Sequence, residues 1–414
     1  MNNNLIKLLG TKEGQVGATV FFLPFFSLVT LWGVSLCSFV FFLAALYHFR
    51  QVRSALARHW PALRWVVGAF TLYFAFTVAM LLLHPGAGSG SLEKPLRMML
   101  GVSALGLVLA FKTERRYLWW GVAGGALLGA LVVGIERFYF DISRPGGLSN
   151  AITTGDLLLL YGLLGLAGAI DRRGTSDSLW LGAGALAGFA GSLITGTRGG
   201  WVALGMAAIV FALYGQAMRS RRARALVAGS FALVALSYFV PQTGVRERVG
   251  QGVADVTAYY DGGSAFSNIG IRLELWKGAL MLIQERPLLG MHHRGAKLEM
   301  ARLVEEGKLD AVVLPAEHFH NDALHVLVVG GLAGLFAWLS TLAAPLVFFS
   351  RALRTPERGD AFAAALAGML VVLSYFAFGL TEVIFWSVKA SMVYALGVFI
   401  LMGLCLNAKE IDGK

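Results

Sequence analysis

The chain has 414 residues, of which 57% are hydrophobic and only 14% charged, and 35 Lys and Arg against 24 Asp and Glu leave a formal net charge of +11. A mean hydropathy of +0.67 over this length excludes a soluble globular protein, and the basic balance is explained by membrane topology without nucleic acid.

Apolar stretches long enough to cross about 30 Å of hydrocarbon, roughly 17 to 25 residues each, recur along nearly the whole sequence. Short alternating segments, the mark of a β-barrel, are absent, so the fold class expected is all-α integral membrane. In chain order, the run from Val16 to Tyr47 carries no charge and is too long for one span. It reads as two short spans joined near Trp32 and Gly33. Further spans are expected near 64–83, 97–111, 117–135, 154–170, 178–196, 199–215, 224–240, 323–349, 361–380 and 384–406, about twelve transmembrane helices in total. No cleavable signal peptide is expected, because the first run is too long and lacks a small-residue cleavage site. Cys37 and Cys405 fall within apolar spans, so neither a disulfide nor thiol chemistry is expected.

Basic clusters at Arg50–Arg64, Lys112–Arg116, Arg172–Arg173, Arg219–Arg224 and Arg351–Arg358 all fall on one side in a twelve-span arrangement. Short basic loops stay in the cytoplasm, which places both termini there and puts Lys94, Arg144, Arg198 and the segment 241–322 outside. The chain thus divides into an N-terminal transmembrane bundle (1–240), a large external loop (241–322) and C-terminal transmembrane helices (323–414). Within the loop, "IRLELWKGALMLIQERP" repeats Leu273, Trp276, Leu280 and Ile283 at helical spacing and predicts an amphipathic helix against the outer membrane face. The Gly-rich "HPGAGSGS" at 84–91 reads as an outer turn, and no internal repeat is visible.

Ionisable groups at membrane depth are costly to leave unpaired and so mark function. Four places on the outer side carry them: "ISRPGGLSNAITTGD" with Arg144, Asn150 and Asp156; "TGTRGGW" with Arg198; "NIGIRLELW" with Arg272; and "PAEHFHNDALHVLVVGGLAG", residues 315–334, with His318, His320, Asn321, Asp322 and His325. Arginine presents a planar fork of donors suited to phosphate oxygens, so the arginines read as a site for a large anion carried on a lipid. The glycines around Arg198 would let backbone approach it closely, and the start of the next helix would add N–H donors. The plain alternatives are a snorkelling interface anchor for Arg198 and an ion pair with Asp141 or Asp156 for Arg144. For the histidines, a metal site is disfavoured by the absence of HExxH and by two different i,i+4 pairings, His318 with Asp322 and Asn321 with His325. Capping of the next span by Asn321 or Asp322 accounts for one or two polar groups but not for three histidines. An imidazole that accepts or orients a hydroxyl proton is the remaining reading. Asp156, Glu382 and Lys389 carry charge with no assigned role.

His320 and Asn321, then nine residues, then Gly331 and Gly334 resemble the His-Asn-x9-Gly-x-x-Gly signature of bacterial O-antigen ligases. Those enzymes share a superfamily with O-antigen polymerases and protein O-oligosaccharyltransferases. The likeness extends to the helix number, the single large loop before the motif, the arginines in "TGTRGG" and "IGIRLELW", and a Pro-x-x-Gly turn in "RPLLGMHH", residues 286–293. What it implies is transfer of O-antigen from an undecaprenyl-pyrophosphate-linked glycan donor to lipid A core oligosaccharide at the periplasmic face of the bacterial inner membrane. It implies His320 as the group that activates the acceptor hydroxyl and Arg198 and Arg272 as stabilisers of the departing pyrophosphate. Arg144, Asn321, His318 and His325 would bind substrate, the anomeric centre would invert, and no metal or other cofactor is expected, since no acidic cluster suits Mg²⁺. The neighbouring reading is a polymerase or a protein O-oligosaccharyltransferase with the same donor. The protein-acceptor branch often adds C-terminal soluble sequence, whereas this chain stops at Lys414 soon after its last expected span. The distant reading is an anionic-lipid transporter or flippase, for which internal repeats would be the sign.

Overall fold

The computed structural model describes residues 10–84, 88–197, 199–214, 221–239, 245–261, 265–354 and 361–412. Among these the chain is all helical, with no strand. Eight helical stretches are long and apolar enough to cross a membrane, and two shorter apolar helices, Gly33–Tyr47 and Gly200–Leu213, accompany them. The protein is a multi-pass, all-α membrane protein.

The ambiguous N-terminal run is two helices, α1 (Lys12–Ser27) and α2 (Gly33–Tyr47), with the break just before Gly33. At about 1.5 Å per residue each is under 25 Å long, short of a full hydrocarbon thickness. Thr11 caps α1 by accepting a hydrogen bond from the Gly14 N–H at 3.0 Å. The next element, α3 (Phe49–Leu83), is 35 residues long and begins well before the span expected at 64–83. Its early turns carry Arg50, Arg53 and Arg58, so hydropathy alone hides its start. The span expected at 97–111 consists of α4 (Glu93–Leu100) and α5 (Val102–Phe111), which meet at Gly101. A Cβ at Gly101 would press on the Phe399 ring.

α6 (Arg116–Phe138), α7 (Ala151–Asp171), α8 (Asp177–Thr195) and α9 (Gly200–Leu213) follow, then α10 (Arg221–Ser237) and α11 (Val245–Tyr260). α7 is buried continuously from Thr153 to Ile170, as a central helix must be when neighbours cover every face. Small residues let those neighbours close in: Gly188 of α8 lies on the Leu158 carbonyl and the Gly162 backbone of α7, where a Cβ would collide.

The segment between bundle helices forms α12 (Asn268–Glu285), α13 (His292–Glu305), a 3₁₀ turn at Ala311–Val313 and the approach to α14 (Asp322–Arg354). It has its own small core of Leu275, Ala279, Leu282, Met300, Leu303 and Phe319. The expected helix at 271–287 is present as α12, but it is apolar on two faces. Leu275, Ala279 and Leu282 turn inward, while the set that announced it, Leu273, Trp276, Leu280 and Ile283, is half-buried or exposed. The chain closes with α15 (Ala361–Gly379) and α16 (Val388–Asp412), whose buried faces join α7 in the main core.

α14 breaks at Gly331, whose φ of 62° and ψ of −162° are accessible essentially only to glycine. Into this break fits the Pro287–Gly290 turn. The Leu332 N–H donates to the Pro287 carbonyl at 2.8 Å and the Ala333 N–H to the Leu288 carbonyl at 3.1 Å, while the Met291 N–H donates to Val328 at 3.0 Å. Main-chain groups released from the helix ladder are thereby satisfied by the loop. Gly290 (φ 67°) and Gly331 meet the opposite backbone so closely that neither has room for a Cβ. Gly334, the second glycine of the motif, packs against the Phe76 ring of α3.

Candidate functional site

The segment before α14 is extended and turned, and His320 has a left-handed backbone (φ 48°), unusual for a residue with a side chain. Three ties hold it. Trp276 of α12 donates its indole N–H to the Phe319 carbonyl at 2.9 Å. Asn321 accepts from the Leu324 N–H at 3.0 Å, capping α14, and donates its amide to the Leu380 carbonyl at 3.0 Å. The helical i,i+4 pairing of His318 with Asp322 does not arise, because α14 begins only at Asp322.

These ties aim His320 at Glu382, in the connection between α15 and α16. His320 Nδ1 lies 3.1 and 3.0 Å from the two carboxylate oxygens. An anionic acceptor on both sides of Nδ1 places the ring proton there and leaves the Nε2 lone pair available, the arrangement a proton acceptor requires. Arg272, in the second turn of α12, approaches the same carboxylate at 3.8 Å, and His318 Nε2 approaches it at 3.4 Å. Glu382 also accepts from the Val383 N–H at 3.0 Å. Burial pushes the Glu382 carboxyl upward, but the His320 hydrogen bond, the two imidazoles and the Val383 N–H outweigh it and hold the group below the usual carboxylate range. For His318 burial dominates over the pull of Glu382 and lowers the imidazole to about 4, so it is neutral near pH 7.

His318, His320 and Arg272 are thus brought together around one carboxylate. His325 sits one turn into α14, its ring 5.7 Å from Trp386 and 6.1 Å from His293. Both polar ends of Asn321 are engaged within the protein, so it positions its neighbour His320. Arg144 is exposed in the connection between α6 and α7 and makes no ion pair with Asp141 or Asp156 among the described residues. Arg198 lies outside the described residues. Its neighbours are placed: Thr197 donates its hydroxyl to the Ala151 carbonyl at 3.0 Å, and Gly199 stands against the Thr381 hydroxyl with no room for a Cβ. Thr381 precedes Glu382, so Gly199 is packed beside the carboxylate connection. Asp156, one turn into α7, is buried, and neither of its oxygens has a hydrogen-bond partner among the described residues.

Glu382 is the residue that sequence reasoning left without a role. Its one signal was a lone carboxylate in the apolar stretch "GLTEVIFW", more than sixty residues from the histidine it serves. Behind the dyad lies a cavity of about 320 Å³. It is walled by Phe76, Met80, Val329, Trp338 and Phe385, with Lys94, Asp322 and His325 among its few polar groups. Lys94 donates to the Trp386 carbonyl at 2.9 Å and lies over its ring. Asp322 faces the Ile384 and Phe385 backbone without closing a well-aligned hydrogen bond. Among the described residues, His318, His320 and Glu382 are the one group whose ligand atoms are clustered closely enough for a metal ion.

Residues 183–339 match a family model described as O-antigen ligase, a stretch running from α8 through the His-Asn motif and past the Gly331 break into the rest of α14. Over 298 residues the chain is also 22% identical to a Haemophilus influenzae protein described as uncharacterized, covering 70% of this chain and 73% of that one.

Proposed function

The chain belongs to the O-antigen ligase family through residues 183–339, and from that premise we propose that it transfers an O-antigen glycan from undecaprenyl pyrophosphate to lipid A core oligosaccharide. The observation that carries the reading is the His320–Glu382 dyad, whose free Nε2 is a ready acceptor for a hydroxyl proton.

In the proposed reaction the acceptor sugar hydroxyl gives its proton to His320 Nε2 as its oxygen bonds to the donor's anomeric carbon. The bond from that carbon to the pyrophosphate oxygen breaks on the opposite face, inverting the centre, and undecaprenyl pyrophosphate leaves. Glu382 holds the tautomer and stabilises the imidazolium that forms, and the proton then passes to solvent. Arg272 and Arg198 stabilise charge growing on the phosphate oxygens, where losing one preorganised donor costs on the order of 2.7 to 4 kcal/mol. His318 and Arg144 contribute to substrate binding, and no metal ion is required. In this reading about twelve helices span the inner membrane with both termini in the cytoplasm. The loop 241–322 and the dyad face the periplasm, between transmembrane parts at 1–240 and 323–414.

The test is transfer by purified protein in detergent, with lipid-linked glycan and lipid A core, in the presence of EDTA. Wild-type transfer that persists, and is lost in folded His320→Ala and Arg198→Ala variants, supports the reading. Full activity in both variants overturns the site. Glycan chain extension without lipid A core identifies a polymerase instead.

A further inference from the structure

Two histidines aim ring nitrogens at one carboxylate. A tetrahedral zinc ion with bonds of about 2.0 to 2.1 Å separates its ligand atoms by about 3.3 Å. His320 Nδ1 lies 3.1 Å and His318 Nε2 3.4 Å from the same Glu382 oxygen, Oε1, and all three ligand atoms lie within 4.8 Å of one another. Both nitrogen-to-oxygen spacings are therefore already close to those of a bound ion, and the two ring nitrogens lie within 4.8 Å of each other. His318 and His320 are both partly exposed, so an ion from solvent can reach them.

We propose that His318, His320 and Glu382 form an inhibitory site for Zn²⁺, in which the metal displaces the hydrogen bond that prepares His320. The ion takes His320 Nδ1, His318 Nε2 and a Glu382 oxygen, with water completing the tetrahedron. Coordination at Nδ1 requires the proton there to leave for solvent, and Nε2 takes one up, so the imidazole stays neutral. The lone pair that would accept a hydroxyl proton becomes an N–H, and the base is gone. Arg272 at 3.8 Å from Glu382 opposes the incoming charge. The Nδ1 atom of His318 has no hydrogen-bond partner among the described residues, so no outer group strengthens that ligand. Both features favour reversible binding by an inhibitor over a resident cofactor.

Metal binding is independent of the function proposed above, whereas the inhibition rests on it, and the experiment separates them. Full-length protein in detergent is titrated with ZnCl₂ by calorimetry, and with Co²⁺ as a visible probe of tetrahedral geometry. Wild type is expected to bind one equivalent at micromolar concentration, and His318→Ala and Glu382→Gln are each expected to weaken binding by about tenfold or more. His292→Ala, beside the other histidine group, should bind as wild type does. His318→Gln serves as a second variant if His318→Ala does not fold. No binding by wild type, or wild-type affinity in the folded His318 variants, overturns the site. Glycan transfer that Zn²⁺ stops and EDTA restores supports the inhibitory role, and transfer undiminished at saturating Zn²⁺ overturns it. Zinc bound as described by a protein with no transferase activity leaves the site standing and removes the proposed function.

Discussion

Glu382 embraces His320 from 62 residues away, both carboxylate oxygens lying 3.0 to 3.1 Å from Nδ1. Replacing the carboxylate by an amide keeps the volume but removes the charge that fixes the ring tautomer. Glu382→Gln is expected to lower kcat for glycan transfer by about 10²- to 10⁴-fold with little change in KM. Steady-state kinetics on the folded variant check this, and near-normal kcat would remove Glu382 from the mechanism.

Arg272 approaches the dyad as a guanidinium fork from α12. Arg272→Ala is expected to cost about 100- to 1,000-fold in kcat, and Arg272→Lys to restore only part of it, because an ammonium cannot bind two phosphate oxygens in one plane. Full rescue by lysine would reduce the residue to a point charge.

The break in α14 depends on glycine. Gly331→Ala would adopt a backbone conformation that side-chain-bearing residues avoid and would also strike the Leu288 backbone, so at least about 1 to 3 kcal/mol of stability should be lost. A thermal melt in detergent measures it. An unchanged midpoint would mean that the helix runs through Gly331 unbroken.

Asn321→Ala removes the cap of α14 and the tie to Leu380 together, an expected loss of about 0.5 to 2 kcal/mol for the cap alone. Asn321→Ser keeps an N-cap acceptor for the Leu324 N–H and loses the donor to Leu380. It should therefore melt between wild type and the alanine variant, and equal melting of the two variants would show that the cap contributes nothing.

His318 gives stability an acid limb. Its ordinary value is 6.5 and burial lowers it to about 4 in the folded protein, so between these values the unfolded chain binds a proton that the folded one refuses. Stability from this group is full above pH 6.5 and falls as the pH drops toward 4, by up to about 3 kcal/mol. Glu382, held below its ordinary 4.5, adds loss of the same sign at lower pH. Melting temperatures from pH 4 to 8 should slope in wild type and flatten between 6.5 and 4 in His318→Gln. Parallel curves would assign the slope elsewhere.

Much of this architecture was legible because hydrocarbon is an undemanding reader: long apolar runs predict helices, and the uncharged stretch 16–47 divides in the structure as its length required. The start of α3 was hidden because its first turns are arginine-rich. The location of the candidate site was legible from the clustering of His318, His320 and Arg272 in the one hydrophilic region. Its wiring was not, since the Glu382 partnership depends on a left-handed turn at His320 and on two helices returning the chain past it. Asn321 illustrates the remaining ambiguity: a polar residue at a helix start is a cap or a ligand, and only its two hydrogen bonds decide.

The seating of the Pro287–Gly290 turn in α14 uses N–H and carbonyl groups alone. Attachment of that kind is indifferent to side-chain identity wherever the backbone can follow. Leu288 and Leu289 point outward and are exposed, so they can be exchanged without loosening the joint. On the function proposed above, the surface meeting the glycan could thus be rewritten residue by residue while the distance from loop to His320 is conserved by main-chain geometry, as a fixed jig holds interchangeable tools.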